Sequence, residues 1–140
     1  SELETLIADL DSDVNTVLAY FEGPGQTSTA RIGDWGAWEV LAHFLYWHEA
    51  TAKGMESVVR GNGPMTVTIE TDSMNAELAR LHQGEGFADL AHEARRFQAA
   101  LTDAARLRGD LDATILERPE RTATARHWQG HVAALEATVN

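Results

Sequence analysis

The feature that most constrains the fold is an apolar residue at every third or fourth position, in segments that end at Gly and Pro clusters. This spacing places the apolar side chains on one face of an α-helix. Residues 2 to about 21 show it best, ending at a Gly23-Pro24-Gly25 break. Their predicted stripe is Leu3, Leu6, Leu10, Val14, Val17 and Phe21, widened by Ile7 and Leu18.

Three further helices and one short one follow from the same pattern. We expect Asp34 to cap a second long helix that stops at residues 61–64, and Asp72 or Ser73 to cap a short helix over residues 74–81. A third long helix from Phe87 ends near Gly109, and a last one covers about residues 122 to 138. Residues 65–71 alternate but are too short to imply a sheet. The sequence therefore predicts an all-α fold, a four-helix bundle with a long crossover between the second and third long helices, in one domain over residues 1–140.

Composition restricts the possible partners. The 140-residue chain has a formal net charge of −11, which argues against nucleic acid because phosphate binding needs a basic face. It has no cysteine, which excludes thiolate metal sites and a cysteine nucleophile. Without an apolar run of membrane-spanning length or a signal-like N-terminus, we expect a cytoplasmic protein that has no membrane partner.

A pair of histidines in the last predicted helix is the first candidate for chemistry. His127 and His131 are one turn apart, so both imidazoles can point the same way with their Cβ atoms roughly 6 Å apart. Two histidines at this spacing can hold one metal ion. The alternative is that each is an ordinary half-buried histidine with its own local hydrogen bond.

A third ligand would have to come from the second helix, where His43 and His48 are both candidates. A helical projection at about 100° per residue puts His43 at the margin of the apolar arc and His48 nearer its middle, and geometry alone does not choose between them. His82 and His92 have no partner at useful spacing, so we expect surface positions for both. Three imidazoles would leave a coordination position for water or substrate, as in catalytic metal sites.

Three segments taken in order resemble the DinB-like superfamily. They are residues 35–44 (WGAWEVLAHF), 72–78 (DSMNAEL) and 127–131 (HWQGH). The superfamily includes the N-terminal domain of mycothiol-dependent maleylpyruvate isomerases and the bacillithiol transferases. The resemblance implies an up-down-down-up bundle and a divalent metal on His43, His127 and His131. It thereby favours His43 over His48, which becomes the runner-up for the first position. It also implies small-molecule chemistry, in which a low-molecular-weight thiol is activated at the metal.

The predicted function is therefore a metal-dependent enzyme acting on a small molecule by thiol transfer, isomerisation or hydrolysis, with zinc or nickel as the expected metal. Glu39, one turn before His43, is a weak candidate for a catalytic group, and a solvated glutamate is the simpler reading. Two other hypotheses belong to different classes. One is a module that sequesters an apolar molecule in a pocket walled by Trp35, Trp47 and Trp128; the other is a stress-response protein that works as a homodimer.

Overall fold

The regular structure of the described residues consists of helices. A computed structural model describes residues 2–31, 33, 35–62 and 73–109, and no β-strand occurs within these ranges. The described residues form four α-helices: α1 (Glu2–Glu22), α2 (Ala37–Val59), α3 (Met74–Leu81) and α4 (Phe87–Arg108). A short 3-10 helix (Pro24–Thr27) follows α1. The all-helical class is confirmed, whereas the predicted last helix, with His127, Trp128 and His131, lies outside the described residues.

The buried face of α1 is rotated slightly from the predicted stripe. Ile7 is 1% exposed, whereas Leu6 is 47% exposed and does not belong to the core. Seven residues before Val14, Ile7 projects within about 20° of that core residue, while Leu6 lies about 80° away. The helix ends as predicted, and Gly25 allows the chain to fold back closely, since a Cβ there would lie 2.9 Å from the Tyr20 ring.

The prediction for the start of α2 is wrong. Its N-cap is Gly36, in extended conformation, and not Asp34. The carbonyl of Gly36 accepts the first helical hydrogen bond from Val40 at 3.1 Å. The helix stops at the predicted break, where Gly61 adopts a positive φ of 85°. α3 begins after Ser73 and ends at Leu81, as predicted.

The order of the contacts gives the direction of the long helices. Arg106, late in α4, pairs with Glu4, early in α1, and Arg95 pairs with Glu22 at the other end, so α1 and α4 are antiparallel. The contacts between α2 and α4 follow the same order along both helices. Ala52 and Met55 pack with Leu101 and Ala104, and farther along Val59 and Leu107 line one groove, so these helices run in the same direction.

The main core lies between α1, the first half of α2, α3 and the start of α4. Its largest fully buried side chains include Phe21, Phe44, Leu41 and Leu90. Among the described helices, none combines the length and the apolar character needed to cross a membrane. This core positions the histidines of α2.

Gly109 ends α4 in the left-handed conformation, and this position provides a stability prediction. Its φ is 88°, and its N–H donates to the Ala105 carbonyl at 2.9 Å. A Cβ there would meet no atom within 4 Å, so the only cost of a side chain is backbone strain. We expect Gly109→Ala to lower the free energy of unfolding by about 1 kcal/mol in urea titrations. Gly109→Asn should lose less, because asparagine tolerates this conformation; equal losses would contradict the explanation.

Candidate functional site

His43 lies in the first half of α2 and is held on two sides. It is only 2% exposed. Its Nδ1 is 2.6 Å from the backbone carbonyl of Glu39, and its ring stacks on Trp35 with 3.8 Å between centroids and 26° between planes. The sequence projection put His43 at the margin of the apolar face because a projection cannot include Trp35, which covers the imidazole from the segment before the helix.

The electrostatic setting of His43 favours the neutral ring. Burial lowers its pKa below the ordinary value, against the opposing effects of the Glu39 carbonyl and the Glu39 charge. A neutral ring whose Nδ1 is paired with a carbonyl carries its proton on Nδ1, which leaves the lone pair of Nε2 available. This is the tautomer and the type of orienting contact that metal-bound histidines show.

Glu39 contacts the histidine through its backbone, and its carboxylate points elsewhere. The carboxylate pairs with Arg31 at 4.0 Å, and both side chains are partly exposed. A direct role of the Glu39 carboxylate in orienting the imidazole therefore has no support in this geometry. Trp47 is half-buried, packs against the main core and meets Tyr46 edge to face, an arrangement that packing alone explains.

His48 lies in a separate environment on the same helix. It follows His43 by five residues and therefore projects about 140° away around the axis. Its ring stacks on Phe44 with 5.1 Å between centroids, and its Nε2 is buried with no hydrogen-bond partner. Burial lowers its pKa to about 4, although the nearby Gln98 side chain opposes the shift. His43 and His48 are thus not brought together, and each would need its own partners to bind a metal.

Sequence reasoning missed one group of potential ligands. The expectation that His82 lies without a partner at the surface is wrong: its side chain is 15% exposed, and its Nδ1 lies 2.6 Å from Glu85 Oε2. Glu93 of α4 joins them, so that one ligand atom from each of the three residues lies within 4.8 Å of the others. The His-x-x-Glu spacing of His82 and Glu85 could have indicated a pair of ligands from the sequence. Only the fold shows that Glu93 lies beside them. His92 is exposed, as expected.

Comparisons of the chain with protein-family models, with curated proteins and with solved structures returned no match in any of the three.

Proposed function

We propose that the protein is a metal-binding helical bundle of the DinB-like type, with His43, His127 and His131 as ligands of one divalent metal ion. The observation that carries the proposal is the state of His43. It is buried, its Nδ1 is paired with the Glu39 carbonyl at 2.6 Å, and burial lowers its pKa, which favours a neutral ring. A carbonyl contact at Nδ1 is the one that orients metal-bound histidines, and it leaves Nε2 as the ligand atom.

The direction of the helices supports the same proposal. In an up-down-down-up bundle the second and third long helices run in the same direction, with a long crossover between them. The contacts of α2 and α4 have this order. The proposal places the fourth helix, with His127 and His131, beside the half of α2 that carries His43.

The chemistry proposed for this centre is the activation of a small nucleophile. A divalent metal there, zinc or nickel, would lower the pKa of a bound water or of a low-molecular-weight thiol toward neutrality. The chain's own contribution is to fix the His43 ring and to exclude water from one of its faces with the Trp35 indole. The proposed activity is transfer of a thiol, or hydrolysis, on a small electrophile by a cytoplasmic enzyme.

Metal analysis of purified protein tests the proposal. We expect His43→Ala and His131→Ala each to lower the bound metal by about one ion per chain, because the two ligands that remain cannot hold the ion tightly. The double variant should lose no more than either single variant. His92→Ala, at an exposed position of α4, is the matched control and should retain the wild-type content.

Two outcomes would reject the metal centre. One is a metal content that is unchanged in both single variants while helical circular dichroism matches the wild type. The other is tight capture of an apolar ligand that survives both chelation and the His43 substitution. That second result would favour the sequestering module, for which Trp35 beside His43 already offers one apolar wall.

A further inference from the structure

A second group of potential ligands lies at the junction of α3 and α4. His82 is the C-cap of α3, Glu85 follows in the connecting turn, and Glu93 lies in the second turn of α4. One ligand atom from each residue lies within 4.8 Å of the other two, and all three residues are partly buried. Two separate elements therefore place an imidazole and two carboxylates around one point.

The backbone around this group is well fixed. The N–H of Glu85 donates to the His82 carbonyl at 3.0 Å, which closes the turn, and Gly84 supplies the positive φ of 84° that the turn uses. The indole Nε1 of Trp38 in α2 donates to the Glu85 carbonyl at 3.0 Å. Glu93 is held by α4 itself. The backbone that carries the three residues is thus held by the turn, by its contact with α2 and by α4.

Among the described residues, no lysine or arginine forms an ion pair with the carboxylates of the group. Within the described part of the chain, Glu85 pairs only with His82, and Glu93 forms no ion pair with a lysine or arginine. Arg96 is three residues beyond Glu93, a spacing that would permit a helical ion pair, but its guanidinium lies over the Phe97 ring instead. A divalent cation at this point would supply the positive charge that no described lysine or arginine brings to the two carboxylates.

We infer that His82, Glu85 and Glu93 form a binding site for a divalent transition metal, with zinc as the best fit. One nitrogen and two carboxylate oxygens suit zinc at ligand distances of about 2.0 to 2.2 Å. The imidazole distinguishes this group from a calcium or magnesium site, since those ions prefer oxygen ligands. The Nδ1 of His82 lies 2.6 Å from Oε2 of Glu85, and placing zinc between these two atoms requires the pair to open by roughly 1 Å.

The inference is independent of the three-histidine centre. His43 is not a member of the group, and its ring is held by Trp35 and Glu39. Either site can therefore fail without affecting the other. Titration of Zn²⁺ into the metal-stripped full chain, followed by calorimetry and melting temperature, tests the new site, with Ca²⁺ as the comparison ion.

We expect His82→Gln and Glu93→Gln each to weaken one class of Zn²⁺ binding by about tenfold or more. Two control variants should retain this class of Zn²⁺ binding. One is His92→Gln, which replaces an exposed histidine next to Glu93 on α4, and the other is His43→Ala. Ca²⁺ should bind much more weakly than Zn²⁺ in the wild type. Circular dichroism confirms that each variant is folded, and if His82→Gln fails to fold, Glu93→Gln decides.

Three results would overturn the inference. In the first, Zn²⁺ affinity is unchanged in the folded Glu93→Gln variant. In the second, Ca²⁺ binds as tightly as Zn²⁺, which removes the role of the imidazole. In the third, His43→Ala abolishes every class of Zn²⁺ binding. A loss confined to the class that depends on His43 leaves the new site intact, so failure of the proposed function can be recognised separately.

Discussion

Replacing Phe44 by alanine is expected to lower the free energy of unfolding by about 3 to 5 kcal/mol. Phe44 is 0% exposed and belongs to the main core. Its ring also stacks on His48 with 16° between the planes. The substitution removes apolar surface from the core and leaves a cavity that the packed helices can only partly fill. Urea unfolding at pH 7, followed by circular dichroism, measures the loss.

Two further variants show whether burial causes this effect. Phe44→Leu retains most of the side-chain volume and should lose much less than the alanine variant. Leu107→Ala removes a side chain that is 80% exposed, and its effect should stay within about 0.5 kcal/mol. If Phe44→Ala and Leu107→Ala were equally destabilising, the described core would not be the core that forms in solution.

The helix boundaries could be predicted because local chemistry determines them. Gly23-Pro24-Gly25 and Gly109 end helices for reasons that depend on a few neighbouring residues. The start of α2 was harder, since a good capping residue at Asp34 does not ensure that the helix begins there. The backbone begins its helical turns three residues later, at Ala37, with Gly36 as the N-cap.

The environment of the candidate site could be predicted only in part. Helical projection identifies the face on which His43 and His48 lie, but not what covers that face. Trp35 covers His43, and its position depends on the path of the chain before α2. Glu93 lies near His82 because the turn between α3 and α4 brings the two helices together. A periodic pattern within one helix does not predict which residues of another helix lie beside it.

Acidification is expected to weaken the fold through His48. Burial holds the pKa of His48 at about 4 in the folded protein, whereas in the unfolded chain it returns to about 6.5. Above pH 6.5 both states are neutral, and the group has no effect. Between pH 6.5 and 4 only the unfolded chain takes up the proton, so the free energy of unfolding falls by roughly 3 kcal/mol in all.

Urea titrations at intervals between pH 7 and pH 4.5 measure this effect, and His48→Gln isolates it. Glutamine does not titrate and keeps a polar group facing Gln98, so the variant should show a flatter dependence of stability on pH. His43 adds a slope in the same direction, because burial also lowers its pKa. Glu4, whose pKa Arg106 lowers from 4.5, contributes mainly below this range. His92→Gln, at an exposed position, should reproduce the wild-type curve.

Parallel curves for the wild type and His48→Gln would mean that the folded protein accepts the proton on His48. The unpartnered Nε2 would then have to be within reach of water or of an acceptor, contrary to the burial described above.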